Sequence, residues 1–300
     1  MRFLFPWILG LVFATQTVGA DDARPVAAEA LPVGPGEMTL DVGLPLQVFT
    51  YKPPTYRGGP LIVVFHGVGR NAEEYRNFAI ALGERFGAIV AAPLFDKERF
   101  PLEAYQRGGI LKDGVLQPRE AWTYALVPRL VDALRTREGR PALPFYFIGH
   151  SAGGQFVVRL AAMAGTLGAS GVVAANPGSH LFPTRDAAFG YGFGGLPAEL
   201  SDDAALRRYL ATPLTLYLGT ADTDEAHASL DRSKPALAQG RSRYERGLAC
   251  YAFAERLAQE RGWVFAWRKV EAPGIGHVAA EMFAAEQAER ALFGDGTIRK

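Results

Sequence analysis

Ser151 stands between two glycines in the stretch Gly149-His150-Ser151-Ala152-Gly153, where an apolar run gives way to a helical pattern. A serine hydroxyl is a weak nucleophile until a neighbouring base takes its proton. It must also be presented where a substrate can reach it. A sharp strand-to-helix turn does this, at the cost of a strained serine backbone and crowding of the residues around it. Glycines at 149 and 153 meet that demand, and Ala152-Gly153-Gly154 keeps the start of the helix bare. The competing reading is an ordinary serine capping a helix between permissive glycines.

Other chemistries find little support. The five histidines, at 66, 150, 180, 227 and 277, form no H-x-x-x-H or Cys/His spacing that would hold a metal. Neither a metal nor an organic cofactor is expected. Cys250 is the only cysteine, so no internal disulfide forms and the core alone must stabilise the chain. It reads as a small buried hydrophobe on a helix. The formal net charge is +1 with both signs dispersed, and no basic block marks a nucleic-acid or membrane partner. The basic stretch at 232–247 reads as a solvated loop and helix face.

A chain of 300 residues, 49% apolar and 21% charged, suits one large α/β domain. Residues 1–20 stand apart. Met1-Arg2, the apolar run FLFPWILGLVFA and the small residues Val18 and Ala20 have the form of a secretory signal peptide cleaved after Ala20. The run is short for spanning a bilayer, so a secreted or periplasmic protein with no stable membrane span is expected. Residues 21–38 read as a flexible leader and 39–300 as a single domain.

MTLDVGLPLQVFTYKPP alternates as one or two exposed strands. PLIVVFHG, GAIVAAPLF, PFYFIGHS, GVVAANPG, PLTLYLGTAD and VFAWRKVEAPG follow as six further strands, most of them apolar enough to be buried on both faces. Helical patterns lie between them: about 71–86, opened by Asn71 with Glu74 as capping-box partner, then 119–139, 152–166, 242–261 and 278–293. This alternation specifies a doubly wound α/β fold, a mostly parallel sheet with helices on both faces. Segment 96–118 is irregular. Segment 179–211 is an insertion at the carboxyl edge of the sheet, where ligands bind in such folds. Its His180, Phe182, Phe189, Tyr191 and Phe193 either line a substrate pocket or form the insertion's own core.

With Gly149–Gly153 as its nucleophile elbow, the chain resembles the α/β-hydrolase family over about residues 45–295, and within it exported bacterial esterases described as polyhydroxybutyrate-depolymerase-like. The resemblance implies a triad in the chain order serine, acid, histidine. Asp222, directly after an apolar strand, takes the acid's place, with Asp224 as its rival two residues on. His277, in a glycine-rich loop before the closing helix, takes the base's place. His150 should point into the fold, and His227 follows the acid loop too closely to be the base. The family's oxyanion hole implies backbone donors at Ala152 and, in the His66-Gly67 segment, at Val68. The expected activity is hydrolysis of a small-molecule or short oligomeric ester through an acyl-enzyme. A serine peptidase or acyltransferase on the same fold, and a non-catalytic binding protein, are the alternatives.

Overall fold

Ten stretches become strands in the computed structural model, which describes residues 29–295. They are β1 (Gly34–Asp41), β2 (Pro45–Lys52), β3 (Leu61–Phe65), β4 (Ile89–Pro93), β5 (Leu111–Lys112), β6 (Val115–Leu116), β7 (Phe145–His150), β8 (Gly171–Ala175), β9 (Leu214–Gly219) and β10 (Arg268–Ala272). Eight form one sheet in the order β1-β2-β4-β3-β7-β8-β9-β10, while β5 and β6 make a small separate ribbon. From β4 to β10 every neighbouring pair is parallel; β2 joins β4 and β1 antiparallel.

Strand alternation splits the core into two layers. Leu61, Val63, Phe65, Ile89, Ala91, Phe145 and Phe147 face one layer, and Ile62, Val64, Val90, Ala92 and Ile148 face the other. The first layer is covered by helices Leu126–Arg137, Ala152–Ala164, Asp203–Ala211 and Arg243–Arg261. Helices Ala72–Phe78, Ile80–Phe86, Ala279–Ala284 and Ala288–Phe293 cover the second. Helices on both faces of a largely parallel sheet match the doubly wound expectation. Phe156 anchors the first layer against Phe65, Phe95, Tyr105 and Tyr124. Burying such a ring contributes about 1.5–3 kcal/mol.

Several local expectations need correction. The stretch read as leader to residue 38 already contains the first half of β1, which pairs with β2 through its whole length. Glycines and a proline at its start hide an alternation that the pairing reveals. The Asn71 side chain makes no capping bond; its amide donates instead to Glu74 Oε2 at 2.5 Å. The helix expected over 71–86 is two, meeting at Ala79, and the closing helix is likewise split at 285–287. The last strand begins only at Arg268. The signal-peptide reading of residues 1–20, and residues 21–28 of the leader, lie outside the described residues. No described helix is long and apolar enough to cross a membrane, and no described group of side chains could hold a metal.

Candidate active site

The turn from β7 into the helix Ala152–Ala164 is built by exclusion. Ser151 takes φ 58° and ψ −114°, a conformation L-residues avoid, and makes no capping bond to the helix it precedes. That separates it from an ordinary N-cap serine, whose backbone is extended and whose hydroxyl accepts from the first turn. A Cβ on Gly153 would overlap the Phe65 carbonyl and stand 2.9 Å from the His66 oxygen. One on Gly149 would overlap the Gly153 carbonyl. Both glycines are therefore required by space.

His277 bridges the serine and a carboxylate. Its Nε2 lies 3.0 Å from Ser151 Oγ and its Nδ1 lies 2.7 Å from Asp222 Oδ2. Asp222 is buried, whereas Asp224 is exposed and spends Oδ1 on the Ala226 N–H. The structure thus brings Ser151, His277 and Asp222 together and leaves Asp224 outside. With a carboxylate on Nδ1, that nitrogen carries the proton and Nε2 faces the serine as acceptor. Burial pushes the His277 imidazole below its ordinary pKa; the Asp222 carboxylate opposes that shift, and the nearby Arg243 guanidinium adds to it.

The loops carrying these groups are tied to each other. Asn176, just past β8 and at φ 42°, accepts the Gly219 N–H at 2.7 Å and donates to the Gly276 carbonyl at 3.0 Å. Ala221 N–H donates to Ile275 O, and Gly274 N–H to Thr220 Oγ1. One buried side-chain amide therefore links the end of β9 to the loop that carries His277. Sequence reading passed over Asn176, whose only local signal is an Asn-Pro-Gly cluster.

The His66–Arg70 loop lies at the end of β3. His66 accepts the Phe95 N–H on Nε2 at 3.0 Å, so the proton sits on Nδ1, 3.0 Å from Gly67 O. Burial pushes this imidazole down to about 4, leaving it neutral as a brace for the loop. Tyr105, from the 96–118 segment, donates to His66 O from the other side. Arg70, at φ 61°, closes the turn by donating its N–H to Gly67 O. Among the described residues, neither the Val68 nor the Ala152 N–H donates to a protein acceptor. Val68 is about half exposed and Ala152 buried.

The other histidines take distinct places. His150 is buried, with Nδ1 3.1 Å from the Tyr75 hydroxyl and its ring 4.6 Å from that of His277. Burial holds it well below its ordinary pKa, hence neutral. His227 lies edge-on to His277, ring centres 5.3 Å apart. His180 is fully buried, its backbone gripped at both N–H and C=O by the Gln239 amide. Phe193 is also fully buried, packed on Tyr209. Neither side chain offers surface to a ligand in this conformation, because the insertion spends both on its own core. Phe182 and Tyr191 do line a groove of about 380 Å³, with Thr184, Lys234, Pro235 and Ala238. None of Ser151, Asp222 and His277 borders it.

Helix Arg243–Arg261 begins beside the acid. Its Tyr244 N–H donates to the Asp222 carbonyl at 3.1 Å, and the buried Arg243 guanidinium stands 3.5 Å from Asp222 Oδ1. The sequence reading placed this stretch on a solvated face, but Arg243 and Arg246 are both buried.

The chain matches none of the protein-family models and none of the curated proteins with which it was compared. Solved structures give clear relatives. Poly(aspartic acid) hydrolase-1 from Sphingomonas sp. KT-1 is 35% identical at a TM-score of 0.78, the alignment covering 84% of this chain and 96% of that one. LpqC, a poly(3-hydroxybutyrate) depolymerase from Bordetella parapertussis, is 35% identical at a TM-score of 0.77, covering 84% and 88%. The siderophore hydrolase EstB from Aspergillus nidulans shares the fold at 17% identity and a TM-score of 0.51, covering 90% and 99%.

Proposed function

The chain belongs to the α/β-hydrolase family, and from that premise we propose that it cleaves carboxylic esters through an acyl-enzyme formed on Ser151. The observation that carries the reading is the unbroken line Ser151 Oγ, His277, Asp222, with both links at hydrogen-bond distance. As Ser151 Oγ bonds to the ester carbonyl carbon, its proton passes to His277 Nε2. Asp222 holds the tautomer and stabilises the imidazolium. The imidazolium then gives that proton to the departing alcohol oxygen as the carbon–oxygen bond breaks. Water, deprotonated by the same imidazole, releases the acid and restores the serine.

The negative charge on the tetrahedral oxygen needs donors. The unclaimed N–H groups of Val68 and Ala152 are suited to it, and Ala152 also sits at the positive end of a helix. Loss of one such donor in a comparable site costs about 2.7–4 kcal/mol.

Small-molecule or short oligomeric esters fit this reading, consistent with a relative named as a poly(3-hydroxybutyrate) depolymerase. Amide cleavage is the second reading, since an equally similar relative is named for poly(aspartic acid), whose linkages are amides. We also read the chain as exported, on the pattern of residues 1–20; N-terminal sequencing of the secreted protein should begin at Asp21.

A fluorophosphonate probe should label the wild type and leave Ser151→Ala unlabelled. Absence of wild-type labelling, under conditions where a control esterase reacts, overturns the enzyme reading in favour of a binding protein. Parallel nitrophenyl-ester and nitroanilide panels separate ester from amide preference.

A further inference from the structure

Arg243 occupies an expensive position. It is the first residue of a 19-residue helix, where the helix dipole disfavours a cation, and it is almost wholly buried. Burial alone pushes its guanidinium below the ordinary arginine range. A charge is retained in such a place when a partner compensates it. Here the partner is Asp222. One carboxylate oxygen faces His277 and the other faces Arg243 Nη1 at 3.5 Å. No other side-chain donor reaches that second oxygen among the described residues.

The second arm of the fork is also occupied. Arg243 Nη2 donates to Ser229 Oγ at 3.0 Å and lies 3.3 Å from His227 Nδ1. The Ser229 N–H donates to the same His227 nitrogen at 3.2 Å. One guanidinium therefore spans the acid and the far part of the acid's own loop, residues 222–229.

We propose that Arg243 is a positioning residue of this site, clamping the free oxygen of Asp222 and pinning the 222–229 loop so that carboxylate and imidazole stay aligned on Ser151. The proposal rests on the hydrolase reading above. It has a second consequence, because the guanidinium is a fixed positive charge close to the base. The groups facing His277 are Asp222, the neutral ring of His150, the ring of His227, and Arg243; Asp224 and Arg246 face Arg243 in turn. The Arg243 cation beside the Asp222–His277 pair disfavours the imidazolium, so His277 remains a free base at lower pH than it otherwise would.

The test is the pH profile of kcat/KM on a nitrophenyl ester for the wild type, Arg243→Gln and Arg243→Lys, with fluorophosphonate labelling alongside. Arg243→Gln should move the acid limb to higher pH by about half a unit or more, as expected when a nearby charge is removed. Arg243→Lys keeps the charge but loses the fork. Its limb should stay near the wild type while kcat falls about tenfold with KM little changed. A Gln variant with an unmoved limb overturns the charge effect, and a Lys variant with wild-type kcat overturns the clamp. Should the Gln variant not fold, the Lys variant decides the proposal. If the wild type neither turns over nor labels, it is the hydrolase reading that fails.

Discussion

Gly153 lies so close to the backbone of Phe65 that no side chain fits between them. A Cβ built there overlaps the Phe65 carbonyl group, which belongs to the central strand β3 and cannot move aside. The elbow thus presses directly on the loop that carries Val68. Gly153→Ala should destabilise the fold by about 3 kcal/mol or more, the upper end for overpacking against rigid neighbours. Gly276→Ala is the control, since its Cβ meets nothing closer than 3.7 Å. Urea unfolding of both reads the difference, and equal midpoints would contradict the packing argument.

Asp222 and Asp224 are separated by one residue but differ in what they touch. Asp222→Asn removes the acceptor that fixes the His277 tautomer and should cut kcat by about 10⁴-fold, the loss seen when a serine-protease triad is changed this way. Asp224→Asn should stay within about threefold of wild type, as an exposed charge screened by salt. Esterase kinetics on both variants decide it, and a severe loss at 224 would reassign the acid.

In the proposed mechanism His277 accepts a proton and so works only when neutral. Because burial depresses the His277 pKa in the folded enzyme, kcat/KM should rise along an acid limb centred below about 6.5, the value of a free histidine. Activity is then complete at neutral pH and is lost as pH falls through the depressed value. A limb centred above pH 7 would show that Asp222 outweighs burial.

Stability should depend on three other histidines. His66 and His180 are pushed down to about 4 and about 3, and His150 well below its ordinary value, all chiefly by burial. Between those values and about pH 6.5 the unfolded chain binds protons that the folded one refuses, so stability rises with pH over that range. Acidification from pH 7.5 to 5 should lower the unfolding free energy by up to about 1.4 kcal/mol per pH unit for each histidine below pH 6.5. Urea midpoints at several pH values test this; a flat profile would mean these rings protonate in place.

What could be read from the chain is what local pattern encodes. Buried strands announce themselves by unbroken apolar runs, and the elbow by two glycines around a serine, because those demands fall on adjacent residues. The first half of β1 escaped notice since its alternation is shallow and begins with Gly-Pro-Gly. Asn176 and Arg243 escaped for a different reason. Asn176 acts on Gly276, 100 positions away, and Arg243 on Asp222, 21 positions away; neither residue type signals such a partner. Phe193 and His180 were candidates for a pocket because an aromatic or imidazole ring looks the same in a sequence whether it faces a ligand or a core.

Cys250 is sealed inside the first core layer, and burial pushes its thiol far above the ordinary range. The chain holds no second sulfhydryl with which it could pair internally. Folding therefore waits on no oxidant and no disulfide isomerase, whichever side of the membrane it happens on. A form lacking residues 1–20, made in a reducing cytoplasm, should fold as well as one made in an oxidising compartment, and dithiothreitol should leave it unharmed.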